Sequence, residues 1–428
     1  MTALLGLLVV LLLAFNAEST SLTHFDAREP KYCSTCLGRF IQDHDYPVES
    51  DHFVATADDY ILRLIRLPNK GRPVIFLNHG LFASAWCWFW NAPQAAPAML
   101  LHRSGFDVWI SNSRGTVFSR NHTRLHVESE EFWSFTWQDM AEFDVPATIQ
   151  YILNETSQDD LIYVGHSQGT TQMLGALTPL DNGGLLHTSE GRAGQWGPSD
   201  LLEHRAVRLF VQLSPIAFVR HLSSPLAALL GQVRAAWELR GLGMKAFPAD
   251  GAEAQLLREG LRLFCQAIGS CPCLQFVRLL LDSSVRHDNA SDVDWSFTWF
   301  PDAASVQDLE HFEQLYLHGR FSAFDYGWIG NRRHYHQWHA PSFLLDKWPA
   351  SVPVALFRAG VDELSSKQDV DRLKAALPSG SVVYDRTYDG FGHITWLMGT
   401  NDTHHWMKDL LDLCRQYPPR QQQKTVYI

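Results

Sequence analysis

The stretch Leu161-Ile162-Tyr163-Val164-Gly165-His166-Ser167-Gln168-Gly169 carries more information than any other in this 428-residue chain. Four apolar strand formers run directly into a turn of small residues around a serine, and a helical start follows at Gln172 to Ala176. A short apolar run bounded by glycine reads as a strand covered on both faces. The turn after it must be sharp, and small residues beside the serine leave room for closely approaching backbone. Gly-x-Ser-x-Gly between a strand and a helix presents the serine hydroxyl at the strand's carboxyl end. Ser167 is therefore the candidate nucleophile.

The same design recurs on either side. Pro73-Val74-Ile75-Phe76-Leu77 ends at Asn78-His79-Gly80, and Phe106-Asp107-Val108-Trp109-Ile110 ends at Ser111-Asn112. Asp51 to Leu67 alternates polar with apolar residues and contains a strand, Tyr60 to Leu67, closed by the turn residues Pro68-Asn69-Lys70-Gly71. Val207 to Leu213 and Val354 to Phe357 are further core strands, and an apolar stripe predicts a helix around Gln138 to Leu153. Short apolar strands alternating with helices predict the α/β class, a mostly parallel sheet with helices on both faces. Residues 216–342 break this rhythm. They hold helical runs, Ala227 to Leu239 and Ala252 to Ile268, then aromatic clusters at Trp295 to Phe300 and Phe321 to Trp328. Strands resume near Val352, so the expected layout is a core of residues 18–215 and 343–428 with a mainly helical cap at 216–342 over the sheet's active edge.

Residues 1–17 contain the apolar run Leu4 to Phe15, followed by small and polar residues. A bilayer needs about 20 apolar residues, so a cleaved signal peptide is expected and no transmembrane segment. Sequons at Asn121, Asn154, Asn289 and Asn401 are candidate glycosylation sites that fit the secretory route. The formal charge of −11, without a basic stripe, argues against nucleic-acid binding. The 20 histidines make that balance far less acidic below about pH 6. Of the seven cysteines, Cys265, Cys271 and Cys273 crowd together, as a local bridge in an oxidising compartment would. Cys33-Ser34-Thr35-Cys36 has no second pair at zinc spacing and reads as a local disulfide or unrelated thiols.

A serine hydroxyl needs a base to become nucleophilic, and the developing oxyanion needs donors. His393, in the small-residue loop Gly390-Phe391-Gly392-His393-Ile394-Thr395, is the candidate base, whereas His166 is expected to pack or hydrogen-bond beneath the turn. The orienting carboxylate should follow a late strand and precede the histidine. Asp362 does both, lying just after Ala359-Gly360-Val361, with Glu363 and Asp369 as rivals. The Gln168 amide and the Leu81 amide, from Asn78-His79-Gly80-Leu81-Phe82, are the candidate oxyanion donors. This set needs neither metal nor cofactor, and no metal-ligand cluster or phosphate-gripping glycine loop is evident.

With these residues in place, the chain resembles the acid lipases, which include gastric and lysosomal acid lipases and insect relatives, within the α/β-hydrolase superfamily. The resemblance runs from about Cys36 to Trp406. It is carried by Tyr46-Pro47-Val48-Glu49, Asp58-Asp59-Tyr60-Ile61-Leu62, Asn78-His79-Gly80-Leu81, Asn112-Ser113-Arg114-Gly115 and Phe132-Trp133-Ser134-Phe135-Thr136-Trp137. Phe143-Asp144-Val145-Pro146-Ala147, the Gly165 to Gly169 turn, and Asp362 with Asp369-Val370 complete it. It implies the α/β-hydrolase fold, hydrolysis of triacylglycerols or cholesteryl esters at a lipid droplet or micelle surface, and a lid within the insertion. It also implies no cofactor, frequent activity at acidic pH, secretion or lysosomal residence, and a cap disulfide matching Cys265 with Cys271 or Cys273. Two departures stand out. Asp59 replaces a glycine of an early turn, and Asp389-Gly390-Phe391-Gly392-His393 stands where the family has Asn-His-Leu-Asp or a close variant. A carboxylesterase acting on other or smaller esters and a catalytically silent lipid-binding or storage protein are the alternatives.

Overall fold

Apolar residues in the central strands sort by period two, and each parity meets its own layer of side chains. Val74, Phe76, Leu161, Tyr163, Phe210, Val354 and Leu356 join one core, with Trp137 and Met173. Ile75, Leu77, Ile162, Val164, Leu209, Val211, Ala355 and Phe357 join the other, with Trp88 and Trp396. Burying a large apolar side chain in this way stabilises by roughly 1.5–3 kcal/mol, so the sheet is held from both sides.

The computed structural model describes residues 36–91, 94–186, 194–248, 252–284, 286–290, 296–297, 300–400 and 405–420. The expected signal peptide, Cys33 to Thr35 and Asn401 lie outside them. Eight strands make up the main path: β1 (Glu49–Ala55), β2 (Tyr60–Leu67), β3 (Val74–Asn78), β4 (Asp107–Ile110), β5 (Leu161–His166), β6 (Val207–Leu213), β7 (Val354–Ala359) and β8 (Val382–Tyr388). Their spatial order is β1-β2-β4-β3-β5-β6-β7-β8, with Asn121–His122 as a short addition to β2. β1 and β2 pair antiparallel, as do β2 and β4, and from β4 to β8 every pairing is parallel. The expected α/β-hydrolase architecture, a mostly parallel sheet flanked by helices with a helical insertion, is what the chain adopts.

Local differences from the sequence reading have physical causes. The helix expected from Gln138 starts at a Thr136–Asp139 capping box, passes through a wide π turn at Met140–Asp144 and becomes α-helical at Val145–Thr156. Pro146, which has no N–H to give a residue four back, stands just after the wide turn. The run Ala227 to Leu239 is two helices, Pro225–Gln232 and Ala235–Gly241, separated at Arg234, whose φ is +54°.

Between β6 and β7 the chain also forms helices Ala252–Ile268, Ser270–Leu281, Val306–His318 and Gly327–Tyr335. Within this insertion a ribbon of Ala246–Phe247 with Ala304–Ser305 brackets the helices Ala252–Ile268 and Ser270–Leu281. Cys265 is bonded to Cys273, joining Ala252–Ile268 to Ser270–Leu281, and both cysteines are buried. Asn121 and Asn154 are exposed and Asn289 is half-buried.

Candidate active site

β5 ends at His166, and the helix Gln168–Leu177 begins two residues later, leaving Ser167 alone to reverse the chain. Its φ of 53° and ψ of −122° lie outside the regions that side chains ordinarily tolerate, a strain of about 1–3 kcal/mol that surrounding contacts must hold. The flanking glycines explain how. A Cβ on Gly169 would lie 2.4 Å from the Asn78 carbonyl oxygen, and one on Gly165 would lie 2.7 Å from the Gly169 backbone. β3 and the elbow touch backbone to backbone, which only glycine permits.

Three loops at the carboxyl ends of the strands meet at this serine. His393, from the loop after β8, has Nε2 2.9 Å from Ser167 Oγ and Nδ1 2.9 Å from Asp362 Oδ2. Asp362, from the loop after β7, also accepts the Leu364 and Ser365 amides at 2.9 and 2.8 Å on Oδ1. Burial pushes its carboxyl up, but the adjacent His393, the Ser365 amide and the Ser214 hydroxyl outweigh burial and hold it below its ordinary value. An ionised Asp362 makes Nδ1 of His393 the protonated nitrogen and leaves Nε2 free to accept.

Neither rival is recorded in a hydrogen bond to His393 among the described residues. Asp369 accepts the His221 amide and ring nitrogen, both at 2.8 Å, in the first turn of the helix Lys367–Ala376. Glu363 takes part through its backbone, with its N–H on Leu281 O and its carbonyl accepting from Ser223.

The oxyanion candidates flank the serine. Gln168 is the first helical residue, so its N–H has no acceptor within the helix. Leu81 follows Gly80, where a Cβ would lie 3.3 Å from Ser167 Oγ, so this turn passes directly over the Ser167 hydroxyl. Its amide has no protein acceptor among the described residues. The cavity of about 420 Å³ lined by Asp58, Tyr60, Arg114, His122 and Asp139 is polar and includes none of these residues.

The chain is 31% identical to human lysosomal acid lipase/cholesteryl ester hydrolase, over 96% of its own length and 98% of that protein. It is 32% identical to human gastric triacylglycerol lipase, with 88% and 90% covered. The value is again 32% for mouse lipase member K, with 89% and 91% covered. The chain belongs to the acid lipase family of α/β-hydrolases. Residues 37–92 match the family model described as a partial alpha/beta-hydrolase lipase region, and residues 73–177 match the alpha/beta hydrolase fold. Among solved structures, a soluble variant of monoglyceride lipase from Saccharomyces cerevisiae matches at a TM-score of 0.50 and 12% identity, covering 88% of this chain and 96% of that one. That likeness concerns the fold.

In this acid-lipase-family hydrolase, further residues support the site, and most of them escaped the sequence reading. His166 lies beneath the turn as expected, but its Nε2–H reaches the carbonyl of His393 at 2.7 Å. Burial, with His393 nearby, lowers its pKa to about 3 and keeps it neutral. His79 donates Nδ1–H to Gly80 O at 2.8 Å and accepts Ser113 N–H on Nε2 at 3.0 Å, bracing the turn before Leu81. Asp308, from the insertion, accepts the Gln168 side-chain amide at 2.8 Å and the Trp137 amide at 2.6 Å. Asp282, also from the insertion, accepts the His393 amide at 2.5 Å. His79 stood within a quoted motif, whereas nothing in the local sequence marks Asp282 or Asp308.

Proposed function

We propose that this protein hydrolyses neutral lipid esters, triacylglycerol and cholesteryl ester, through an acyl-enzyme on Ser167. The observation that carries this reading is the single row Ser167 Oγ, His393 Nε2, His393 Nδ1, Asp362 Oδ2, with both gaps 2.9 Å. His393 Nε2 takes the hydroxyl proton as Oγ attacks the ester carbonyl, and the Leu81 and Gln168 amides hold the oxyanion. Collapse of this intermediate expels the alcohol, which leaves with the proton from Nε2. Water then gives a proton to Nε2 as it attacks the acyl carbonyl, and the fatty acid departs as Ser167 recovers that proton. Asp362 keeps the ring oriented and stabilises the imidazolium.

The substrate class is supported by the activities in the names of the lysosomal and gastric relatives. It is supported also by exposed apolar residues on the insertion: Val233 is 55% exposed, Trp237 46%, Leu263 50% and Phe264 44%. Exposed apolar side chains of this kind suit a droplet or micelle surface. Residues 216–342 serve as a cap over the site. No helix among the described residues is long and apolar enough to cross a membrane. The expected signal peptide and the relatives' names support a place in the secretory pathway, extracellular or lysosomal, with glycans at the sequons.

The test is fluorophosphonate labelling followed by peptide mass spectrometry, with hydrolysis measured on emulsified triacylglycerol, cholesteryl ester and a soluble short ester. Label on Ser167, its absence in Ser167→Ala, and long-ester turnover are expected. Turnover confined to short esters would assign a carboxylesterase, and bound lipid with no labelled serine would assign a silent carrier.

A further inference from the structure

The helix Ser270–Leu281 ends beside the active site, and the next residue, Asp282, is 2% exposed. Its Oδ1 accepts the backbone N–H of His393 at 2.5 Å. A Cβ on Gly392 would lie 2.3 Å from the Asp282 carboxyl carbon, so the base loop is pressed flat against this side chain. The same segment is laced to the acid loop: Ser283 N–H meets Val361 O, and Glu363 N–H meets Leu281 O, both at 2.9 Å. Farther along, Thr400 N–H reaches His287 O at 2.7 Å and Asn289 N–H reaches Met398 O at 2.8 Å. Asp288 accepts the Thr395 hydroxyl at 2.5 Å, and that hydroxyl accepts the Gly392 amide at 2.8 Å. One stretch of the insertion therefore grips both the loop that carries Asp362 and the loop that carries His393.

We propose that Asp282 is a positioning residue for the base: its carboxyl group holds the His393 backbone so that the imidazole spans Ser167 and Asp362. This inference rests on the acyl-enzyme reading of Ser167 and His393. The charge state follows from the surroundings. Burial and the facing Asp362, helped by Asp288 and Glu363, push the Asp282 carboxyl well above its ordinary range, against the pull of the His393 amide. Of the two carboxyl groups, Asp282 is therefore the one that keeps its proton to higher pH. Ionising it at higher pH sets a second negative charge against Asp362, in a site with little water to screen it, and pushes this segment and the acid loop apart although the bond to the His393 amide remains. Asp282 therefore contributes a limb to the alkaline side of the rate profile.

The experiment compares Asp282→Asn and Asp282→Leu with the native full chain, after circular dichroism confirms folding. It measures kcat and KM on a soluble short ester from pH 4 to 9 and the rate of fluorophosphonate labelling at Ser167. Asparagine keeps an acceptor oxygen but has no proton to lose. It is expected to retain kcat in acid within about threefold and to extend activity to higher pH. Leucine has no acceptor, and a displaced base is expected to cost roughly 10²-fold in kcat and in labelling rate, with KM little changed. Native kcat and profile in both variants overturn the proposal, as does an asparagine variant as slow as leucine with the native profile shape. Native enzyme that is not labelled at Ser167 overturns the acyl-enzyme reading itself, which separates the two failures.

Discussion

At Asp362 a single side chain accepts two backbone amides on one oxygen and the His393 ring on the other. Asparagine in its place can keep the shape of that arrangement but not the charge that selects the tautomer and stabilises imidazolium. Asp362→Asn is expected to lower kcat on a soluble ester by roughly 10⁴-fold, while Glu363→Gln and Asp369→Asn stay near native. Loss in either rival with retention in Asp362→Asn would reassign the acid. Asp59 is the other residue whose environment explains an oddity. It stands where the resemblance places a glycine, and its backbone is one that glycine suits, with φ +74°. Aspartate tolerates this region better than most residues, and its partner Arg124 is 75% exposed, so their ion pair adds little. Asp59→Gly is expected to raise stability by up to about 1 kcal/mol, read from the urea midpoint at an unchanged m-value.

Among the elements, the insertion divides into parts of unequal attachment. Residues 281–289 are bonded to the acid and base loops, and Asp308 on Val306–His318 holds Trp137 and Gln168. The helices Pro225–Gln232 to Ala252–Ile268 carry the exposed apolar residues Val233, Trp237, Leu263 and Phe264. Any lid movement belongs to this outer part, because moving the inner part would pull His393 away from Ser167. The Cys265–Cys273 bridge, with a sequence separation of 8 residues, ties this outer part to Ser270–Leu281, the helix that leads into the inner segment. A loop of that size contributes on the order of 2–3 kcal/mol. Cys265→Ser is expected to speed amide hydrogen exchange in Ala252–Ile268 and Ser270–Leu281, with exchange in β5 unchanged. The edge strands were the elements the sequence reading passed over. β8 has a mixed burial pattern, with Asp385 and Arg386 in its middle, and β1 is rich in polar residues. Each has a neighbour on one side only, so neither needs the apolar run that reveals a central strand.

Across the whole molecule, buried ionisable groups set the pH dependence. Burial, then Asp139, raises Glu142 to about 8, and burial raises Asp308 to about 7 against its amide partners. Folded protein therefore holds protons that the unfolded chain has released, and stability falls as pH rises toward those values. His79, His166 and His311 run the other way, lowered by burial to about 4, 3 and 3. They remove stability as pH falls below about 6.5. The melting temperature is expected to decline from pH 6.5 to 8, at about 1.4 kcal/mol per pH unit for each net proton. Glu142→Gln should flatten that decline, and an unaltered slope would exclude Glu142 as its source. Local pattern was enough for the central strands and the strained turn at Ser167, and it singled out His393 as a candidate in a small-residue loop. Period-two burial and glycine at a close approach are properties of neighbouring residues. The contacts that brace the site are not: Asp282 meets His393 across 111 residues, Asp308 meets Gln168 across 140, and His166 meets the His393 carbonyl across 227. Such pairings arise only when β5, the loops after β7 and β8, and the insertion are packed together, because a lone carboxylate looks the same in sequence whether it ends in water or against the base.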